Sequence, residues 1–300
     1  MKVLGVGILA AASVLVAVSS AWGLVVALPA PGQMAAQSPV VLTGKVTKIE
    51  EKEVEAPTPF HGAKEKQKYK IAVVKVDSVL AGAERLQEVR IGFIPPPKVD
   101  PNQPVRPRPP IGRPGLGQTE LKPGQERLFF LAQHPHADFY IIPNMSIPID
   151  ITTAEGKKQL DEVKKVTAVL ADPRKALQSD QADVRAEAAA IMVMKYRAYP
   201  LFGGEVDQVP INAEESQLIL KALADAEWKD TRFGQLSPLQ AFYQLGLTEK
   251  DGWIQPMIVT VPGQPAPDFN AIMKDAYTRW LATAGKNYRI KKFVPKTTQP

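Results

Sequence analysis

Two regions of the chain differ in how their hydrophobic residues are spaced. In the first region, short runs rich in valine, isoleucine and phenylalanine alternate with polar positions, which predicts β-strands that each have one buried face. These runs are residues 40–49, 69–79, 88–93, 127–131 and 139–142. The last two are close enough in sequence to pair as a hairpin around residues 133–138. Short strands of this kind predict a small barrel or sandwich.

Beyond Ile151 the hydrophobic residues recur with the period of an α-helix. Residues 155–171 form the first predicted helix, which Asp172 and Pro173 should end. Four further helices are predicted from their capping residues, Ser179 or Asp180, Asn212, Ser237 and Asp268. The last has the clearest apolar stripe, made of Phe269, Ile272, Met273, Ala276, Tyr277, Trp280 and Leu281. The sequence therefore predicts an α+β protein in which a helical domain follows the strands.

Four segments of the strand-rich region follow one another in a characteristic order. They are Gly44-Lys45-Val46, the strand at 69–76 that leads into Leu80-Ala81-Gly82, Val89-Arg90-Ile91-Gly92, and Leu-Lys-Pro-Gly-Gln-Glu-Arg-Leu-Phe-Phe-Leu at 121–131. Over about a third of the chain, this order resembles the OB-fold barrel of netrin-type and tissue-inhibitor modules. The resemblance implies a small OB-like antiparallel β-barrel that serves as a binding module. The cysteines of that family are missing, so protease inhibition is not implied.

One helix start in the second region also resembles a known repeat. Asp180, Val184, Arg185 and Ala188 match the start of a HEAT-like helix. Only one copy is evident, whereas a solenoid needs three or more units to bury a continuous core. We therefore expect a small helical bundle that contains a HEAT-like pair.

The N-terminus carries a long uncharged segment. Met1-Lys2 is followed by 28 uncharged residues at 3–30, with a hydrophobic stretch at 3–18 and the small residues Ser19-Ser20-Ala21. These are the three parts of a secretory signal peptide, and cleavage after Ala21 is the favoured outcome. An uncleaved membrane anchor is the alternative, because the segment exceeds the roughly 20 residues that span a bilayer. Either outcome places the body outside the cytoplasm, as a periplasmic or secreted protein, or one anchored in the membrane.

Composition narrows the function further. The chain has no cysteine, which excludes disulfides and thiolate chemistry and suits a bacterial envelope protein. Its net charge of +6 is interspersed and too mild to indicate sequence-specific nucleic-acid binding. We divide the chain into a signal peptide or membrane anchor with a spacer at 1–37, the OB-like barrel at 38–152 with a proline-rich insertion at 95–117, and the helical domain at 153–300.

The insertion is a candidate interaction segment. Nine of the twenty residues at 95–114 are prolines, which favours polyproline II or an irregular chain. One interpretation is a solvated insertion without a binding role. The other is a docking segment, in which Arg106, Arg108 and Arg113 project from a stiff chain toward an anionic polymer or an acidic partner.

His134, His136 and Asp138 are the candidate metal ligands. They occupy alternate positions, so an extended chain would project all three to one side, where imidazole and carboxylate suit zinc. The competing interpretation is an ordinary turn, because turns favour proline and aspartate for backbone reasons alone. His61 is the only other histidine, so further ligands would have to be acidic residues.

Catalytic motifs are not found in the sequence. It contains no nucleophile elbow, no Ser-x-x-Lys, no His-Glu-x-x-His and no phosphate-binding glycine loop in a strand-to-helix setting. We therefore assign no catalytic residue and no cofactor, and expect an exported, non-catalytic binding protein whose partner is a protein or an anionic envelope polymer. The alternative is a metal-dependent hydrolase that uses His134, His136 and Asp138. The sequence does not indicate the oligomeric state.

Overall fold

The computed structural model describes residues 29–82, 85–96, 119–143, 146–229, 236–258 and 265–296. The predicted signal peptide or anchor and the candidate residues Arg106, Arg108 and Arg113 lie outside these ranges. None of the helices within them has both the length and the apolar character needed to cross a bilayer.

The described residues form nine strands and seven α-helices. The strands are Val40–Ile49 (β1), Val54–Pro57 (β2), Lys66–Ala81 (β3), Glu88–Phe93 (β4), Glu126–Gln133 (β5), Tyr140–Ile141 (β6), Ile149–Asp150 (β7), Val206–Pro210 (β8) and Lys291–Pro295 (β9). The helices are Pro31–Gln37 (α1), Ala154–Ala171 (α2), Pro173–Leu177 (α3), Ala182–Tyr196 (α4), Ala213–Asp225 (α5), Pro238–Leu245 (α6) and Phe269–Ala282 (α7). The protein is therefore α+β, as predicted.

The first seven strands form one mixed, largely antiparallel sheet. β1 pairs in antiparallel fashion with β3 and with β5, and β3 pairs with β4. β4 pairs in parallel with β6, and β6 pairs with β5. Because β5 also pairs with β1, the hydrogen-bonded order β1–β3–β4–β6–β5 returns to β1. β2 extends β3, and β7 extends β5. The predicted hairpin is confirmed, since Ala132 and Gln133 lie opposite Ile141 and Tyr140.

Alternation of side chains gives this sheet two buried faces. On the inner face, one cluster gathers Val40, Leu42, Val46, Ala72, Val74, Val89, Ile91, Phe93, Phe129 and Leu131. On the outer face, Val41, Leu128 and Phe130 pack against α1, α2 and α4. Because successive residues point to opposite sides of a strand, β1 and β5 contribute to both clusters. The sheet and the helices therefore share a hydrophobic core.

Helix α1 corrects one sequence-based expectation. Residues up to 37 were assigned to a signal or anchor with a spacer, yet Met34, Ala35 and Ala36 are buried in the core between sheet and helices. The backbone N–H of Gly32 also donates to the Glu162 carboxylate of α2. Alanines and a single methionine give α1 only a weak apolar pattern in the sequence. Because these side chains are mostly small, α1 can pack closely against its neighbours α2 and α4. Residues 31–37 are therefore part of the folded body.

The second region has its own core, in which α4 to α7 surround a cluster of aromatic rings. Its rings include Trp228, Phe242, Trp253, Tyr277 and Trp280. The predicted caps Asn212, Ser237 and Asp268 are confirmed, because each side chain accepts a backbone N–H of the first helical turn.

The predicted end of the first helix is confirmed, because α2 stops at Ala171 with Asp172 as its C-cap. Asp172 also caps α3, a short helix that was not predicted, and Pro173 takes its first position, which proline favours. Two other features differ from the prediction. Gln181 rather than Ser179 or Asp180 is the N-cap of α4. The region is also not wholly helical, since β8 pairs with β9, which forms from the basic C-terminal tail.

Truncation of Met34 tests the structural role of α1. We expect Met34→Ala to lower the free energy of unfolding by about 2 to 3 kcal/mol, because it leaves a cavity between α1 and the sheet. Urea unfolding measures this loss. Met257→Ala is the matched control, since Met257 is 88% exposed and its truncation should change stability little. Equal effects of the two substitutions would contradict the packing of α1.

Candidate functional site

The predicted metal ligands lie in the turn between β5 and β6. His134 is buried with 2% of its surface exposed, whereas His136 and Asp138 are exposed. The turn is not extended, so the three side chains do not project to one side as alternate spacing predicted. Across the described ranges, no group of three or more histidine, aspartate or glutamate side chains is arranged to hold a metal ion. Metal binding therefore stays a prediction that this geometry does not favour.

His134 instead belongs to a buried polar cluster on the outer face of β3 and β4. Its ring centroid lies 5.6 Å from that of Tyr69 and 4.9 Å from that of Phe139. His134 Nε2, the Tyr69 hydroxyl and Thr58 Oγ1 are all buried without a hydrogen-bond partner among the described residues. The Phe139 ring lies over Gly92, where an added Cβ would come within 2.4 Å of it. The cluster therefore closes this face of the sheet.

The hydrogen bonding of His134 defines its protonation. The backbone N–H of His136 donates to His134 Nδ1 at 3.1 Å, which places the ring proton on Nε2. Burial lowers the pKa of His134 below its ordinary value of 6.5, while the Pro57 backbone raises it in part and His136 lowers it further. His134 is therefore a neutral core residue at pH 7.

A second feature is an exposed aromatic stack beside β8 and β9. We call Arg197, Tyr199 and Phe293 the aromatic platform. The ring centroids of Tyr199 and Phe293 are 4.5 Å apart, and the Arg197 guanidinium carbon lies 3.9 Å from the Phe293 centroid. Tyr199 is 67% exposed, so its ring is accessible to a ligand. The platform thus presents an aromatic ring to solvent on a rigid base.

Arg197 is fixed by three parts of the fold. Its Nε donates to the Gln244 carbonyl at 2.9 Å, and its Nη1 donates to the Lys291 carbonyl at 3.0 Å. Gly246, in the left-handed conformation at the end of α6, leaves room for the guanidinium, because a Cβ there would lie 3.2 Å from Nη2. The arginine therefore joins α4, α6 and β9.

Arg197 forms no ion pair with a carboxylate of the described residues, and the nearby Asp251, which raises its pKa, is itself paired with Lys291. Burial lowers the pKa of Arg197, but an arginine remains charged at any physiological pH. Nearby, Lys291 pairs with Asp251 and Lys296 pairs with Glu205, while Lys292 is exposed. The platform therefore combines aromatic surface with the positive charges of Arg197 and Lys292, beside the exposed carboxylate of Asp207 on β8, and the two cations suit an anionic group on a partner.

No pattern in the sequence predicts the aromatic platform. Arg197 and Phe293 are far apart in the chain, and they meet because the end of α4 packs against β9, where Arg197 donates to the Lys291 carbonyl. No protein-family model and no curated protein matches the chain.

Titration of His134 should make stability depend on pH. The unfolded chain binds a proton with the ordinary pKa of 6.5, and the folded pKa is lower. Below pH 6.5 the unfolded state therefore holds more protons, so folding stability falls as pH falls, by up to about 1.4 kcal/mol per pH unit. Chemical denaturation between about pH 7.5 and about pH 5.5, one unit above and one unit below the ordinary pKa, measures this slope.

The matched variants are His134→Asn and His136→Asn. The asparagine amide oxygen at 134 retains an acceptor for the His136 N–H but does not titrate, so this variant should lose most of the acid-dependent slope. The exposed His136 should be replaceable without such a change. An unchanged slope in His134→Asn would show that His134 is not buried in its neutral form.

Proposed function

We propose that this is an exported, non-catalytic binding protein of the bacterial envelope, and that its aromatic platform holds an anionic, sugar-containing polymer. The observation that carries the proposal is the exposed Tyr199 ring, which packs at an angle of 42° against Phe293, the ring that the Arg197 guanidinium also contacts. Exposed aromatic rings that are already held in place lose little conformational freedom when a ligand stacks on them.

The shape and charge of the platform favour a polymeric partner. Sugar rings present an apolar C–H face that packs on aromatic rings, and tyrosine adds a hydroxyl for hydrogen bonding. The fixed charge of Arg197 and the exposed Lys292 attract carboxylate or phosphate groups. Because Tyr199 stands on an open surface, a long chain can pass over it and make repeated weak contacts.

Export is supported by the N-terminal sequence and by composition. The uncharged residues 3–30 and the Ser19-Ser20-Ala21 triplet support a secretory signal with cleavage after Ala21. The lack of cysteine is compatible with a bacterial periplasm or exterior, where the body is held together by packing alone. An uncleaved anchor would tether the same body to the membrane.

We further propose that the large sheet is an OB-like barrel. Its support is the pairing order β1–β3–β4–β6–β5–β1, with one parallel pair between β4 and β6. OB folds commonly bind ligands on the outer face of their second and third strands, which correspond here to β3 and β4. Phe139, Tyr69 and the partly buried Phe202 cover that face. The proposed ligand contact therefore lies on the platform instead.

A HEAT-like pair in α3 and α4 remains part of the proposal. Arg185, the arginine of the matched pattern, donates through Nη1 to the Ser179 and Asp180 carbonyls at 2.7 and 3.1 Å. These bonds hold the turn between α3 and α4, which gives the arginine a structural purpose.

Retention on immobilised alginate, a polymer of carboxylated sugars, tests the binding role. We expect Tyr199→Ala to weaken binding at low salt roughly three- to ten-fold, because a lost aromatic contact is worth about 0.5 to 1.5 kcal/mol. Phe269→Ala is the matched control, since Phe269 is 42% exposed on α7 and away from the platform. Circular dichroism confirms that both variants fold.

One further variant and one further support separate the platform from the proline-rich segment and from simple charge. Replacing Arg106, Arg108 and Arg113 with glutamine should leave retention unchanged if the platform is the binding surface. If that replacement abolishes retention while Tyr199→Ala does not, the docking segment is the binding element and the platform proposal fails. Equal retention on polyacrylate, which carries charge without sugars, would contradict the sugar contact.

A further inference from the structure

A groove lies where the end of β3 meets the helices. It is a cavity of ≈ 590 Å³ between β3, α1, α2 and α4, which is in the size class of small-molecule sites. We call this cavity the sheet–helix groove. Its apolar lining includes Ala36, Pro39, Val79, Leu80 and Leu170.

Two basic side chains also line the sheet–helix groove. They are Arg85, just beyond β3, and Lys195, near the end of α4. Neither forms an ion pair with any described residue. The hydroxyl-bearing Ser38 and Thr167 add polar groups to the same lining. An apolar groove with two unpaired cations is complementary to a molecule with an apolar body and an anionic head.

The backbone at Arg85 gives an independent observation. Arg85 has φ of 70°, and it is the one non-glycine residue with positive φ among the described residues. This backbone conformation is energetically unfavourable for residues other than glycine. Backbone strain of this kind is concentrated at functional sites. A glycine would satisfy the backbone better, so the presence of arginine indicates a use for its side chain.

We propose that the sheet–helix groove binds a single-chain amphiphile with an anionic head, such as a fatty acid or a lysophospholipid. The acyl chain lies against Leu80 and Leu170, while Arg85 and Lys195 hold the carboxylate or phosphate. A free inorganic anion would leave the apolar lining unused. This site is separate from the aromatic platform and does not depend on the proposed function.

Binding of a fluorescent fatty acid, 11-(dansylamino)undecanoic acid, tests the proposal. We expect saturable binding at one site, and about five- to ten-fold weaker binding in Arg85→Gln and in Lys195→Gln, because each loses a charged contact. Arg85→Lys should keep most of the affinity. Lys221→Gln on α5 is the control for a lost exposed charge and should leave binding unchanged.

Three companion measurements determine the chemistry of the ligand. The methyl ester of the probe should bind more weakly, since it keeps the chain but lacks the charge. Dodecyl phosphate should compete with the probe and inorganic phosphate should not; competition by both would indicate a simple anion site and overturn the proposal. Arg85→Gly should weaken binding without loss of thermal stability, because glycine relieves the backbone strain.

Equal binding of the probe by the wild type, Arg85→Gln and Lys195→Gln would also overturn the proposal. In that case the probe occupies another apolar surface. Because alginate retention and probe binding use different residues, failure of one assay leaves the other interpretable.

Discussion

The structure depends on the packing of helices against the outer face of the sheet. Val41, Leu128 and Phe130 point away from the inner core, and without cover they would expose a large apolar surface. Helices α1, α2 and α4 bury these residues with Met34, Val163, Val166, Ile191 and Met194. Because β1 and β5 contribute to both cores, neither face can be disturbed without affecting the other. The strand-rich region and the helical region therefore pack against each other through a shared hydrophobic core.

This connection also determines where binding surfaces are available. The outer face of the sheet is covered by α1, α2 and α4 on one side and by the Phe139 cluster on the other. The junction at the end of β3 and the surface beside β8 and β9 are among the positions that stay open. The junction carries the exposed Arg85 and Lys195, and the platform carries Arg197, which two backbone carbonyls hold in place. Ligand contacts are thus expected where helices and strands meet.

Much of the sheet could be predicted from local pattern, whereas features that need distant partners could not. Residues 40–49 and 88–93 coincide with β1 and β4, because alternation directly encodes a buried face. β8 has almost no buried residue, so it carries no such signal. Similarly, α1 buries mainly alanines after a proline and a glycine, which resemble a loop. The aromatic platform likewise needs the end of α4 to contact β9, a long-range contact that no local pattern predicts.

The histidine turn shows why residue type and spacing do not define a site. Alternate spacing places side chains on one side only if the chain is extended, and residues 134–138 turn instead. That turn sends His134 inward, where Nδ1 accepts a backbone N–H and desolvation favours the neutral ring. The side chains of His136 and Asp138 are exposed instead. By contrast, Arg197 has no sequence signature, yet its charge is oriented by two backbone carbonyls and left without a counter-ion. An arginine that is oriented by the fold but forms no ion pair is a stronger reason to infer binding than side chains with suitable spacing in the sequence. Partial burial of an arginine without an ion pair is unfavourable, and a bound anion would compensate for it.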